Sequence, residues 1–137
     1  EYLNRVHHLP VLVVWGNQAE RAWAEIIADL GGNRTYLAPP TTIRQMMSLL
    51  RRASLMIASD TGPLHIAAAW GTPCVGLYGP TNGEETGPYG TRHIVVQAAR
   101  YRGKHRRRAP RAIMEAITVD MVCQACAQLL SEAKAAA

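Results

Sequence analysis

Phenylalanine is absent from the 137 residues, aromatic side chains make up only 6%, and there are only three cysteines. Three is an odd number in a chain long enough to fold without covalent cross-links, so we predict thiols rather than a secreted disulfide framework. No apolar run approaches the roughly 20 residues that cross a bilayer, and the start does not resemble a signal peptide. These absences predict a soluble protein of a reducing compartment, the cytoplasm.

Common phosphate and metal motifs are also missing. The only Gly-Lys pair, Gly103-Lys104, is followed by His105, so there is no Walker A sequence, and no GxGxxG follows a predicted strand. Cys123 and Cys126 form a single CxxC inside a helical pattern, without a second pair. We therefore predict packed helix thiols and no metal site, and we disfavour P-loop and ordinary dinucleotide binding.

Basic residues are concentrated in one stretch. Seven Lys and Arg residues fall between 100 and 111 with no acidic residue, whereas the rest of the chain has eight Lys and Arg against ten Asp and Glu. A uniformly basic face is not predicted, and we expect no nucleic-acid partner. The basic loop, 100–112, is either a solvated surface loop or a contact for lipid phosphates or an anionic acceptor.

The remaining sequence, 48% apolar and 18% charged, is that of a globular domain with one core. Apolar runs typical of buried strands occur at residues 11–15, 35–37, 55–58, 73–78 and 93–96. Helical spacing of apolar residues occurs at 19–30, 42–50, 65–70 and about 118–133. Strands alternating with helices predict an α/β class, a three-layer Rossmann-like, doubly wound parallel sheet.

Two helices carry specific signals. In the first helix, which Gly31-Gly32 should end, apolar residues recur at helical spacing. They are Ala19, Ala22, Trp23, Ile26, Ile27 and Leu30. Thr42 and Gln45 predict a capping box for the next helix. Its buried stripe is predicted to be Ile43, Met46, Met47 and Leu50.

The stronger candidate site is the turn at residues 59–63, between a predicted strand and a helix that we expect to begin near His65. Ligands of doubly wound sheets bind at the carboxyl ends of strands, beside helix N-termini. Gly62 would let a ligand approach the backbone, and Thr61 adds a hydroxyl. The alternative is a turn in which Asp60 or Thr61 only caps the helix.

A second candidate is the turn at residues 16–20, which also joins a predicted strand to a helix. Glu20 there could accept hydrogen bonds from a ribose diol. Alternatively, it only interacts favourably with the helix dipole.

The stretch SDTGPLHIAAAWGTPCVGLYGPT, 59 to 81, resembles the glycosyltransferase family that includes the ADP-heptose:lipopolysaccharide heptosyltransferases. An Asp-Thr-Gly turn, a His, an Ala-rich helix, Gly-x-Pro, an apolar strand and Gly-Pro-Thr are all present, and the resemblance covers 9–97. It implies half of a GT-B fold: residues 1–137 would be one C-terminal nucleotide-sugar-binding domain, without its first strand. The sheet would then expose an edge or an apolar face.

The resemblance also implies roles for individual residues. The general base of the family belongs to the N-terminal acceptor domain, so no catalytic residue is assigned in this chain. His65 would assist with phosphate or sugar, or make a structural hydrogen bond inside the turn. The donor-binding residues would be Glu20 on the ribose, Thr41 at the base pocket, Thr61, Gly62 and Pro63 on the diphosphate, and Asp60 on the sugar.

The implied reaction is inverting transfer of a sugar from a nucleotide-sugar donor, ADP-heptose or similar, in lipopolysaccharide or related glycan synthesis. No obligatory metal is expected, and the chain alone would be inactive without the acceptor domain. The enzyme would work at the inner face of the bacterial inner membrane, in contact with anionic lipid or a lipopolysaccharide precursor. The alternatives are a non-catalytic nucleotide- or polyanion-binding module and a GT-B-like UDP-sugar epimerase fragment, although Gly-Pro-Thr favours the transferase.

Overall fold

A computed structural model describes residues 1–103 and 108–135 of the chain. The chain divides into two compact units, Glu1–Gln45 and Met46–Ala137. Among the described helices, none is long and apolar enough to cross a membrane.

The first unit is a parallel strand pair joined by a helix. After α1 (Tyr2–His7), strand β1 (Val11–Val13) pairs with β2 (Thr35–Leu37), and α2 (Gln18–Leu30) connects them. The β-branched residues of the two strands suit extended structure, and a parallel pair needs such a crossover. The helix between two parallel strands is the arrangement that the alternating sequence pattern predicts.

Much of the apolar surface of this unit is exposed. On α2, Trp23 is 70% exposed and Leu30 is 76% exposed, while Ala24 is buried. On the strands, Leu12 and Tyr36 are also exposed. Helical spacing therefore identified residues that share a face of α2 without showing what covers it.

The second unit contains a three-stranded parallel sheet in the order β3-β4-β5. Its strands are β3 (Met56–Ser59), β4 (Cys74–Leu77) and β5 (His93–Val96). Its helices are α4 (Gly62–Ala69), α5 (Gly83–Thr86), α6 (Ala112–Glu115) and α7 (Val119–Ala135), while α3 (Ile43–Arg52) begins in the first unit and continues into the second. Because the strands are parallel, the loops after β3, β4 and β5 leave the sheet at one edge.

A small apolar core supports that edge. Tyr78, directly after β4, and Leu64, in the first turn of α4, are fully buried. Burying a side chain such as Leu64 contributes about 1.5–3 kcal/mol. The cluster consists of Leu50, Leu64, Ala67, Ala68, Cys74 and Tyr78. The segments that leave β3 and β4 therefore rest on tightly packed side chains.

The structure differs from two local predictions. Helix α4 begins at Gly62 rather than near His65, because Pro63 occupies the first turn, where a missing N–H costs nothing. In α3, Leu50 is buried as predicted, but Ile43 is 65% exposed. Ile43 stands at the first position of its helix, where apolar spacing does not guarantee a covering neighbour.

Candidate functional site

Four polar side chains meet at the carboxyl edge of the three-stranded sheet, and we call them the Asp60 cluster: Asp60, His65, Thr81 and Thr86. Asp60 directly follows β3, and its Oδ1 lies 3.1 Å from His65 Nε2. Because an ionised carboxylate only accepts, Nε2 carries the hydrogen. Thr86 Oγ1 lies 3.4 Å from Asp60 Oδ2, and the Thr81 side chain is near enough to the same carboxylate to lower its pKa.

These contacts set the charge of Asp60. Burial raises its pKa, but hydrogen bonds from His65, Thr81 and Thr86, together with the charge of His65, outweigh burial and lower the pKa below its ordinary value. Burial and the neighbouring Asp60 charge raise the pKa of Tyr78 to about 12. Near neutral pH the site thus combines an ionised carboxylate with a neutral phenol.

The turn that follows Asp60 presents backbone to solvent. Thr61 is the N-cap of α4 in an extended conformation, but its Oγ1 donates to Ser59 O at 3.1 Å, so the hydroxyl does not cap the helix. A Cβ placed on Gly62 would meet nothing within 4 Å. Since the first amides of a helix lack intrahelical acceptors, the exposed start of α4 can receive an anion.

Pro63 limits what this turn can offer. It lies in the first turn of α4 and has no N–H, so it contributes a carbonyl but no donor to a phosphate. Leu64 N already donates to Thr61 O at 3.1 Å. Of Gly62, Pro63 and Leu64, only Gly62 therefore keeps an N–H that can donate to an anion.

Glu20 lies in the first unit, and its side chain folds back on the start of α2. Its Oε2 accepts from Gly16 N and its Oε1 from Asn17 Nδ2, both at 2.7 Å, while Glu20 N donates to Asn17 Oδ1 at 3.0 Å. A carboxylate negatively charged in the first turn also complements the helix dipole. The structure therefore supports the helix-stabilising alternative for Glu20, and the ribose contact stays a prediction.

Thr41 also belongs to the first unit, where it is half-buried just before α3. The predicted capping box of that helix is confirmed: Thr42 N donates to Gln45 Oε1 at 2.9 Å, and Gln45 N donates to Thr42 Oγ1 at 3.3 Å. These reciprocal bonds fix the start of α3 next to Thr41. The base-pocket role of Thr41 stays a prediction.

A residue that sequence reasoning missed holds the loop after β4. Gln97 Nε2 donates to Thr81 O at 2.8 Å and to Gly79 O at 3.4 Å, and Gln97 Oε1 accepts from Gly83 N at 3.2 Å. The signal that could have found it is a polar residue directly after the apolar run of β5. Thr81 and Thr86 were missed as well, because their contact with Asp60 joins segments that are distant in sequence.

A cleft of about 380 Å³ opens beside this loop. It is lined by Asn82, Glu84, Val95, Gln97, Ala98, Ala99 and Arg100. Arg100 pairs with Glu84 at 3.7 Å and with Glu85 at 3.3 Å, so two carboxylates face its charge. The Asp60 cluster contributes no lining residue, and we assign the candidate site to the cluster because it brings together the ionised Asp60 carboxylate and the start of α4.

Comparison with known proteins decides the family. The sequence pattern of Glycosyltransferase family 9 (heptosyltransferase) matches residues 3–114. The chain belongs to glycosyltransferase family 9. This result confirms the resemblance carried by residues 59–81.

Curated relatives of this family 9 chain are lipopolysaccharide heptosyltransferases. It is 37% identical over 84 residues to lipopolysaccharide heptosyltransferase 1 of Pseudomonas aeruginosa, covering 61% of this chain and 23% of the relative. It is 30% identical over 100 residues to the lipopolysaccharide core heptosyltransferase OpsX of Haemophilus influenzae, covering 70% and 29%. The chain thus spans less than a third of the length of these relatives.

Solved structures show the same fold. The E. coli heptosyltransferase WaaC with ADP matches with a TM-score of 0.75 at 24% identity, covering 93% of this chain and 36% of that one. A family 9 glycosyl transferase from Veillonella parvula matches with a TM-score of 0.79 at 22% identity, covering 96% and 39%. The predicted α/β class with parallel strands, part of a GT-B fold, is confirmed.

The family 9 chain brings together some of its predicted site residues. Asp60, Thr61, Gly62, Pro63 and His65 are contiguous at the start of α4, whereas Glu20 and Thr41 belong to the other unit. Within residues 1–103 and 108–135, no group of three or more His, Cys, Asp or Glu side chains could hold a metal ion. Residues 104–107 of the predicted basic loop lie outside the described residues.

Proposed function

We propose that this chain is the donor-binding domain of a glycosyltransferase that uses ADP-heptose or a similar nucleotide-sugar in lipopolysaccharide or related glycan synthesis. Membership of family 9 supports the glycosyltransferase class. One WaaC structure carries ADP and another carries ADP-2-deoxy-2-fluoro heptose, which supports the donor class. The observation that carries the proposal for this chain is the Asp60 cluster beside the exposed start of α4.

The charges of the site suggest which part of the donor lies where. The N–H of Gly62 and the dipole of α4 favour an anion, so the diphosphate would lie over the turn. The ionised Asp60 carboxylate repels phosphate and accepts hydrogen bonds, so it would face hydroxyls of the sugar. As the acceptor hydroxyl attacks the anomeric carbon, the bond to the diphosphate breaks, and the turn would stabilise the departing charge.

Several parts of the reaction belong to the rest of the enzyme. The acceptor hydroxyl must lose its proton, and we place that general base in the N-terminal acceptor domain. Without that domain the chain would bind donor but not turn it over. We place the enzyme in the bacterial cytoplasm, at the inner face of the inner membrane.

Calorimetric titration of the chain with ADP, ADP-heptose and UDP, at two salt concentrations and with or without EDTA, tests the proposal. We expect selective adenine-nucleotide binding that EDTA does not change, because the turn and the cluster supply the contacts without a metal. Equal, strongly salt-sensitive binding of all three ligands would instead indicate a polyanion-binding module. Preference for UDP would favour the epimerase alternative.

The variant Asp60→Asn separates sugar contacts from phosphate contacts. It should weaken ADP-heptose binding about tenfold to a hundredfold, the value of one hydrogen bond to a charged group. Its affinity for ADP should stay unchanged or rise, because a negative charge near the diphosphate is removed. Asp120→Asn, an exposed carboxylate in the first turn of α7, is the matched control. Equal losses for both ligands would contradict the assignment of Asp60 to the sugar.

The basic stretch between 100 and 111 supports a further contact, with anionic lipid or a charged lipopolysaccharide precursor. Replacement of Arg106, Arg107 and Arg108 by Ser should reduce sedimentation with vesicles that contain anionic lipid. Sedimentation with neutral vesicles should not change. Equal partitioning of wild type and variant on anionic vesicles would remove this proposal.

A further inference from the structure

The side chain of the residue after β5 forms hydrogen bonds with the backbone of the loop between β4 and α5. Gln97 directly follows β5 and contacts three backbone groups of this loop, the carbonyls of Gly79 and Thr81 and the amide of Gly83. Gly83 begins α5, the short helix that carries Thr86 to within 3.4 Å of the Asp60 carboxylate. We propose that Gln97 is a positioning residue that fixes this loop and the start of α5 and, through Thr86, the orientation of Asp60.

The chemistry of the contacts requires a primary amide. Gln97 Nε2 donates to two carbonyls, while Gln97 Oε1 accepts from Gly83 N at 3.2 Å. Glutamate could accept from Gly83 but could not donate to the carbonyls, and methionine of similar size could do neither. Gln97 is half-buried, so water would replace these bonds only in part.

The loop and the short helix after it hold Asp60 from one side. Thr86 Oγ1 lies 3.4 Å from Asp60 Oδ2, and the Thr81 side chain is near enough to the carboxylate to lower its pKa. Gly83, which donates to Gln97, begins the helix that carries Thr86. The contact of Gln97 thus reaches the carboxylate through Gly83 and the helix that carries Thr86.

The surroundings of the loop leave little room for compensation. A Cβ on Gly79 would lie 2.5 Å from Met114 Sδ, and Tyr78 OH donates to Thr86 O at 3.1 Å. The side chains of Met114 and Tyr78 therefore pack against the loop, while Gln97 forms hydrogen bonds with its backbone carbonyls and amide. Precise support of this kind around a binding residue is what keeps the residue in its productive geometry.

Titration of the Asp60 carboxyl by carbon-detected NMR in the ligand-free chain tests the proposal directly. In Gln97→Ala, the loop and the start of α5 should shift, Thr86 should move away from Asp60, and the pKa of Asp60 should rise because a contact that favours the charged form is lost. The titratable groups that face Asp60 are His65 on α4 and Tyr78 after β4, and both are retained. Gln128→Ala, which removes an exposed glutamine of α7, is the control and should leave the titration unchanged.

Ligand binding gives a second measurement, which rests on the proposed function. Gln97→Ala should weaken ADP-heptose binding about threefold to tenfold, the value of one displaced hydrogen bond, and change ADP binding by less than about twofold. A merely structural role would lower stability without moving the Asp60 titration. An Asp60 titration identical in wild type and Gln97→Ala would overturn the proposal.

Further measurements distinguish a failure of the role proposed for Gln97 from a loss of folding and from a failure of the proposed function. Gln97→Glu keeps the acceptor for Gly83 but places a carboxylate against two carbonyls, so it should raise the Asp60 pKa as well. If neither variant folds, exchange of the Gln97 side-chain amide in the wild type decides, because fast exchange of both hydrogens would overturn the proposal. If the wild type binds no nucleotide, the proposed function fails, whereas the Asp60 titration still decides the role of Gln97.

Discussion

Replacing Asp60 by Asn should destabilise the chain in a way that depends on pH. The amide has the shape of the carboxylate but no charge and only one acceptor oxygen, whereas donors from His65, Thr81 and Thr86 converge on the site. A hydrogen bond to a charged group contributes about 1.5–3 kcal/mol. Because the His65 side chain is 42% exposed, solvent weakens its share, and we expect a loss of about 1–2 kcal/mol at pH 7.

The sign of the pH dependence follows from the direction of the pKa shift. The pKa of Asp60 is lower in the folded chain than its ordinary value, so the folded state binds fewer protons than the unfolded state. The stabilisation is complete above the unfolded pKa of about 3.9 and is lost as pH falls through the folded pKa. The free-energy difference between wild type and Asp60→Asn should therefore shrink toward zero in strong acid.

Urea unfolding at pH 7 and at steps from pH 5 to pH 2 measures this difference. Asp29→Asn, an exposed carboxylate on α2, is the control and should stay within about 0.5 kcal/mol of the wild type throughout. A difference between wild type and Asp60→Asn that does not change with pH would refute the argument. So would a difference below about 0.5 kcal/mol at pH 7, since the hydrogen bonds would then contribute nothing.

Three other predictions concern the core and the loop. Leu64→Ala, at a fully buried position, should lower the free energy of unfolding by about 2–5 kcal/mol in urea titrations. Burial raises the pKa of Cys74 and of Cys126 to about 11, so their reaction with a disulfide reagent should be slow at pH 8 and accelerate about tenfold per pH unit toward pH 11. Gly83→Ala would place a Cβ against Val95 Cγ1 and should cost about 1–3 kcal/mol, measured by thermal unfolding.

Features that depend on a few neighbouring residues could be predicted from the sequence. The capping box of Thr42 and Gln45 is formed by residues three positions apart, and the structure contains both of its bonds. Strands β2 and β5 span the predicted residues, because β2 lies just before Pro39-Pro40, which break regular structure, and β5 is an apolar β-branched run that ends at Gln97. The position of the turn after β3 follows from the same local signals.

Features that depend on contacts between distant parts of the chain could not be predicted from the sequence. The contact of Thr86 with Asp60 joins residues 26 positions apart, and that of Gln97 with Thr81 joins residues 16 apart. The exposure of Trp23 depends on what covers α2, which helical spacing does not encode. The early start of α4 at Gly62, by contrast, reflects a local signal, Pro63, whose fixed φ suits a first turn.

The hydroxyl of Thr86 has a consequence for ligand exchange. It has one hydrogen but two acceptors, Asn82 O at 3.0 Å and Asp60 Oδ2 at 3.4 Å. Thr86 is exposed, so when another hydroxyl donates to Asp60, Thr86 can keep its hydrogen on Asn82 O while water meets its remaining hydrogen-bonding capacity. The carboxylate can therefore accept a new donor without leaving a polar group unpaired.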